Sequence, residues 1–185
     1  HDLWHSGFQE VFCNVRDLTE RNRKLHWLAM GEVYKIGDTQ LCGVDGWYDY
    51  QAGTAGDRIN FIMNDWHLIE EFKSDFAMFR MGFTAPLTDK LKYRGRQSAH
   101  DAFNTLKKCD TGKPVLFATH VPPFEEASCH NGKRSDATHI PFYTNVALGR
   151  VLGEWAKQNP GTQLTTICGH THSPTEFHQR ENHNV

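Results

Sequence analysis

Two short strand-like runs, each followed by histidine within two residues, constrain the fold of this chain more than any other feature. Residues 115–119 read Val-Leu-Phe-Ala-Thr and precede His120, and residues 164–168 read Leu-Thr-Thr-Ile-Cys and precede the Gly-His-Thr-His segment 169–172. Continuous apolar runs of this length are typical of buried strands in a parallel sheet. A helical pattern precedes each run, so the order helix, strand, helix, strand predicts an α/β fold.

Periodicity and turn residues predict the remaining elements. They are a helix over 14–30, a strand hairpin within 33–47 that turns at Gly37 and Asp38, a loop-rich stretch over 48–96 with a helix near 66–80, and two helices that begin after Ser98 and Asn145.

The composition excludes several classes of protein. A chain of 185 residues predicts one domain, 1–185, and a net charge of −2 argues against a global basic field for nucleic acid. No apolar stretch approaches the roughly 18 residues of a membrane span, so we expect a soluble protein without a membrane partner. Five cysteines without C-x-x-C spacing favour reduced thiols and a cytoplasmic location.

The histidines at the strand ends are the candidates for chemistry. Ligands of α/β sheets bind at the carboxyl ends of the strands, so we expect His120, His170 and His172 to converge there. Imidazole binds several divalent metals, and two ions about 3.5–4 Å apart are what an in-line phosphoryl displacement uses. The three residues are therefore predicted metal ligands.

Three segments together resemble a known family. His1-Asp2, the Thr-His-Val-Pro-Pro run 119–123 and the Gly-His-Thr-His run 169–172 resemble, in this order, the last three motifs of the calcineurin-like metallophosphoesterases. Those motifs are a Gly-Asn-His-Asp block, a lone His after a strand, and Gly-His-x-His. The resemblance implies part of a sandwich of two mixed β-sheets flanked by helices, in a domain that lacks its N-terminal part because the sequence starts within the third motif.

The resemblance also implies a role for each matching residue. His1 would protonate the leaving-group oxygen, and Asp2 would orient it. His120 and His170 would bind one divalent ion and His172 a second, with Mn, Fe or Zn favoured. A hydroxide that bridges the ions would attack a phosphate mono- or diester, and nucleic acid enters only as a substrate. The oligomeric state stays open.

The family's Asp-x-His and Gly-Asp blocks have no counterpart in the 185 residues, so half of its metal ligands are missing. A catalytically inactive binding module with a phosphoesterase-like fold is therefore an alternative. A structural zinc site is a second alternative, and a separate expectation is a loop that clamps the phosphate of the substrate. The zinc ligands would be Cys129, His130, Cys168 and His170, and the clamp residues would be His130, Lys133, Arg134 and His139.

Overall fold

The computed structural model of the chain describes residues 3–53 and 62–185. No helix in these ranges is both long enough and apolar enough to cross a membrane. The α-helices found there are α1 (Phe8–Arg21), α2 (Asp65–Leu68), α3 (Glu70–Arg80), α4 (Ala85–Leu106), α5 (Ile140–Tyr143) and α6 (Val146–Gln158). Short 3₁₀ turns occur at Leu28–Met30 and Glu125–Ala127.

The chain divides into two compact units, and the smaller one is formed by 1–27 with 60–90. It is helical, and its core contains the edge-to-face ring pair Phe8–Phe72, whose centroids lie 5.7 Å apart. Glu71 accepts a hydrogen bond from the backbone N–H of Phe8 at 2.6 Å. A carboxylate at this position satisfies one of the unpaired N–H groups at the start of α1.

The larger unit, 28–59 with 91–185, contains a six-stranded sheet in the order β1-β2-β3-β6-β8-β7. Its strands are β1 (Tyr34–Ile36), β2 (Thr39–Gly43), β3 (Val115–Ala118), β6 (Leu164–Ile167), β7 (His178–Arg180) and β8 (His183–Asn184). The pairs at the two edges are antiparallel, whereas β2, β3, β6 and β8 are parallel to one another. A separate two-stranded ribbon pairs β4 (Cys129–His130) with β5 (Lys133–Arg134).

Helices α4 and α6 cover one face of this sheet. The core cluster joins strand residues such as Phe117 and Leu164 to Ala102 of α4 and to Leu148 and Leu152 of α6. All five side chains are less than 1 % exposed. The predicted α/β class is therefore confirmed, with parallel strands at the centre of the sheet and helices packed on it.

Most predicted elements are present, and two helices differ from prediction. The helix predicted over 14–30 begins earlier, at Phe8, and ends at Arg21, because Asn22 takes an extended backbone conformation. The helix predicted to begin after Ser98 begins at Ala85 instead. Ser98 lies inside it, where its hydroxyl contacts the Arg94 carbonyl at 3.4 Å rather than capping a helix end.

Candidate functional site

Backbone hydrogen bonds continue past the ends of β2, β3 and β6 and align the three loops that follow them. The N–H of His120 donates to the Asp45 carbonyl at 3.2 Å, and the N–H of Gly169 donates to the His120 carbonyl at 2.9 Å. His120 thus lies between the loop after β2 and the loop after β6. The parallel register, in which Gly43, Ala118 and Ile167 are neighbours, places all three loops at the carboxyl edge of the sheet.

Gly46 allows this close approach of the loops. Its φ is +70°, and a Cβ at this position would lie 2.2 Å from the Thr119 Oγ1 atom and 2.9 Å from the His120 backbone nitrogen. Any side chain would displace the segment that carries His120, and the positive φ would add strain.

The imidazole of His170 is fixed by hydrogen bonds at both nitrogens. Its Nε2 lies 3.0 Å from the Phe142 carbonyl, and its Nδ1 lies 3.2 Å from His120 Nε2. A carbonyl only accepts, so Nε2 carries the proton and, in the neutral ring, Nδ1 presents a lone pair toward His120. The backbone of His170 has a φ of 69°, in the left-handed region that residues other than glycine rarely adopt.

Aromatic rings surround the same imidazole. The Tyr48 ring stacks on His170 at a centroid distance of 6.3 Å, and Tyr143 meets it edge-on at 4.9 Å. His139 in turn stacks on Tyr143 at 5.9 Å. These rings restrict the orientation of His170 from two sides and support the direction in which Nδ1 points.

His172 is placed differently from the other two histidines. It is exposed and makes no hydrogen bond, ion pair or ring contact within the part of the chain that the structure describes. We expected the Gly-His-Thr-His segment to bring His172 to the same place as His120 and His170. The segment is not extended, because His170 and His172 both have positive φ, 69° and 56°.

The His120–His170 pair fits two positions in the ligand shell of one metal ion. Two nitrogens bound tetrahedrally to one ion at about 2.0–2.1 Å lie roughly 3.3 Å apart, close to the 3.2 Å between His120 Nε2 and His170 Nδ1. The hydrogen bond from His170 to Phe142 is also the partner that a metal-binding imidazole commonly has at its other nitrogen. Within 3–53 and 62–185, no group of three or more His, Cys, Asp or Glu side chains is arranged to hold a metal ion.

A buried polar network supports the loops from below. Asn145 caps α6 as predicted, since its Oδ1 accepts from the Leu148 N–H at 2.8 Å. Its Nδ2 donates to the carbonyls of Trp47 and Gly95, and its N–H donates to the Pro122 carbonyl. The Asn145 side chain therefore connects the helix to the loop after β2 and to α4, and the backbone of the same residue bonds to the His-Val-Pro-Pro segment.

Asp49 is a second buried group near the start of α6, and it is fully enclosed. It accepts hydrogen bonds from the Ala147 N–H at 2.8 Å and from the backbone and side chain of Gln51. Burial raises the pKa of this carboxyl, while the bonds from Ala147 and Gln51 act in the opposite direction. A Cβ at Gly95 would lie 2.3 Å from the Asp49 Cβ, so α4 needs glycine where it crosses this loop.

The carboxyl of Asp45 occupies the same loop after β2. Burial raises its pKa, and Arg94, 3.7 Å away, and Ser98 partly compensate. Sequence reasoning assigned no chemistry to this loop. The sequence feature that could have pointed to this loop is the pair of acidic residues at 45 and 49, with aromatic and glycine residues around them.

The structure does not assemble the ligands of the structural zinc alternative. Cys129 contacts the Thr175 hydroxyl, and His130 contacts the Thr171 carbonyl. No group of three such ligands exists in the described ranges, which include all four proposed residues. Burial raises the pKa of the Cys168 thiol to about 11.

Two of the four clamp candidates are already paired with acids. Arg134 contacts Glu125 at 2.6 Å, and His139 contacts Asp136 at 2.8 Å. An anion at this loop would have to displace these carboxylates. Lys133 is exposed on the β4–β5 ribbon.

A cavity of about 320 Å³ borders the loop that carries His170 and His172. Its wall is formed by the loop itself and by Ala127, Thr166 and Val185. The volume lies at the lower end of the range for small-molecule sites. The predicted catalytic residues His1 and Asp2 lie outside the described residues.

Comparisons of the chain with protein-family models, with curated proteins and with solved structures found no match in any of the three.

Proposed function

We propose that this chain carries part of the centre of a metal-dependent phosphoesterase that hydrolyses phosphate mono- or diesters. The observation that carries the proposal is the His120–His170 pair, two imidazole nitrogens 3.2 Å apart at the carboxyl ends of adjacent parallel strands. A pair of this geometry is suited to one divalent ion, with Mn, Fe or Zn favoured by imidazole. His172 would belong to a second ion.

The residues of the chain have separable roles in this proposal. His120 and His170 would present nitrogen lone pairs, and Phe142 would keep His170 in the required tautomer through its carbonyl. Divalent ions supply Lewis-acid stabilisation of a phosphoryl group and lower the pKa of water. His1 would donate a proton to the leaving oxygen, oriented by Asp2.

The test is hydrolysis of bis(p-nitrophenyl) phosphate and p-nitrophenyl phosphate by the purified full-length protein, with and without added Mn²⁺. We expect metal-dependent turnover that falls at least about 100-fold in His120→Ala and His170→Ala. His178→Ala is the matched control, since His178 is exposed on β7 in the same unit. Turnover that does not depend on added metal, or that both variants retain, overturns the proposal. Metal binding without turnover favours the inactive binding module.

We further propose that the sheet is one layer of a two-sheet sandwich. The face opposite α4 and α6 carries Leu41, Leu116 and Ala118, half-buried, together with Ile36 and Ile167, which are 65 % and 50 % exposed. A second sheet would cover this apolar face. Ile167→Lys should then lower the free energy of unfolding by about 2 kcal/mol or more, whereas Leu18→Lys on α1 should change it by less than about 0.5. Equally small effects of Ile167→Lys and Leu18→Lys on the free energy of unfolding would contradict a second sheet on this face.

We also propose that the protein is located in the cytoplasm. All five cysteines are free, and the Cys42 and Cys109 sulfurs lie 3.9 Å apart without a bond between them. Buried thiols this close stay reduced most readily in a reducing compartment. Thiol titration of the unfolded protein, purified without reductant, should find five free thiols, and a Cys42–Cys109 disulfide would contradict the assignment.

A further inference from the structure

The exposed face of the second half of α4 combines aromatic and basic side chains. Tyr93, Arg96, His100 and Phe103 follow one another at steps of three and four residues along one side of α4, and Lys107, one residue past the end of the helix, continues the series. We call these five residues the aromatic–basic face. All of them belong to the larger compact unit.

Neither aromatic ring of this face contributes to the core. Tyr93 is 59 % exposed and Phe103 is 50 % exposed, whereas Leu91, Ala102 and Leu106 on the opposite side of α4 are buried. Ten residues separate the two rings, which corresponds to about 15 Å along the helix axis. The face therefore offers two ring surfaces at a spacing of a few nucleotides.

The cations of the face have no acidic partner among the residues that the structure describes. Arg96 and Lys107 form no ion pair within the described ranges, and the Lys107 ammonium lies 5.0 Å above the Phe103 ring. By contrast, Arg94 on another side of α4 contacts Asp45. The only acidic residue between 91 and 108 is Asp101, which lies off this face and accepts from Gln97. A chain of net charge −2 thus carries a local positive strip.

We propose that the aromatic–basic face binds single-stranded nucleic acid. Bases would stack on Tyr93 and Phe103, and Arg96 and Lys107 would contact the phosphates between them. A membrane is a poorer fit, because interfacial helices separate their apolar and basic residues onto different faces, whereas rings and cations alternate here on one face. The inference does not depend on the proposed phosphoesterase activity.

The test is fluorescence anisotropy of a labelled oligothymidylate of about 12 nucleotides, titrated with the full chain at low salt. Tyr93→Ala and Phe103→Ala should each weaken binding about 5- to 100-fold, and Phe103→Tyr should retain it, because tyrosine also stacks. Arg96→Gln combined with Lys107→Gln should reduce the slope of log K against log salt by about 1.4, the value for two phosphate contacts.

Matched controls separate this surface from general charge and hydrophobicity. Phe83→Ala removes a ring that is 61 % exposed elsewhere, and Arg150→Gln removes an exposed arginine from α6. Both should bind like the unsubstituted protein. Unchanged melting temperatures of the face variants would show that all of them fold.

Three outcomes overturn the inference. They are no binding at low salt, binding that the face substitutions leave unchanged, and binding of vesicles rich in phosphatidylserine without binding of the oligonucleotide. The two proposals fail separately, since His170→Ala should leave oligonucleotide binding intact and Tyr93→Ala should leave hydrolysis of bis(p-nitrophenyl) phosphate intact.

Discussion

The Nε2 atom of His120 lies 3.2 Å from the Nδ1 atom of His170, although the two residues are 50 positions apart in the chain. The parallel pairing of β3 with β6 brings their loops together, and the Gly169 N–H joins them by a hydrogen bond to the His120 carbonyl. The Phe142 carbonyl then selects the tautomer of His170. Sheet topology and one backbone acceptor thus produce a pair of nitrogens suited to one ion.

A proton-donor role for His1 predicts a loss that depends on the leaving group. In the full-length protein, His1→Ala should leave the metal content unchanged while lowering kcat by about 10² to 10⁴, the usual contribution of a general acid. The loss should be larger for an alkyl phosphate ester than for a nitrophenyl ester, because nitrophenolate needs little protonation to leave. Asp2→Asn should give a smaller loss with the same pattern. Equal losses on the two esters would assign His1 a different role.

Two glycines in α6 should respond to alanine in opposite directions. A Cβ at Gly149 would lie 2.1 Å from the Pro123 carbonyl oxygen, in the His-Val-Pro-Pro segment, whereas at Gly153 it would make only ordinary contacts. Gly149→Ala should therefore destabilise the protein by about 1–3 kcal/mol. Gly153→Ala should stabilise it by about 0.5–1 kcal/mol, because alanine favours the helix. Chemical denaturation measures both, and a neutral Gly149→Ala would contradict the close contact.

The Asn145 side chain should matter more to stability than an ordinary helix cap. Asn145→Ala removes bonds to the Leu148 N–H and to the carbonyls of Trp47 and Gly95, in a fully buried position. We expect a loss of about 2–4 kcal/mol in the free energy of unfolding. Asn159→Ala, at the other end of the same helix, removes one bond, to Trp155, and should cost about 1 kcal/mol or less. Similar losses for the two variants would argue against the network.

His183 should make the protein less stable in mild acid. It is fully buried, its Nε2 contacts the Thr166 hydroxyl, and burial, helped by nearby Arg180, lowers its pKa from 6.5 to about 4. The unfolded chain then binds a proton that the folded chain excludes. The stabilisation is complete above pH 6.5 and is lost as the pH falls toward 4, on the order of 3 kcal/mol in total.

Unfolding free energies measured at several pH values across this window test the assignment. His183→Gln should flatten the pH dependence, whereas His178→Gln, at an exposed histidine of the neighbouring strand β7, should leave it unchanged. Identical pH profiles for His183→Gln and the unsubstituted protein would mean that another group titrates.

Local signals predicted the parts of the fold that depend on local interactions. Gly37 and Asp38 mark the turn between β1 and β2, and Asn145 caps α6 through its own side chain. The start of α4 at Ala85 lies within the stretch 48–96 that we expected to be rich in loops, and it was missed because proline ordinarily breaks a helix. Pro86 is the second residue of that helix, where a missing N–H leaves no hydrogen bond unmade.

The candidate site was only partly accessible to such reasoning. The sequence predicted that His120 and His170 lie at the ends of strands, because each histidine closely follows its strand in the chain. The partner of His170 at Phe142 and the positive φ of His172 depend on how distant segments pack. The half-buried carboxylate of Asp45 and the buried carboxylate of Asp49 were missed for the same reason, since their hydrogen bonds come from α4 and α6.

The most direct test of the account is a calorimetric titration of the metal-free protein with Zn²⁺, repeated with His120→Ala, His170→Ala and the control His178→Ala. The account predicts that each of the first two substitutions removes the same single equivalent of bound metal, because His120 and His170 share one ion, and that the control keeps it. An unchanged number of equivalents in His170→Ala would contradict the claim that the His120–His170 pair is a metal site.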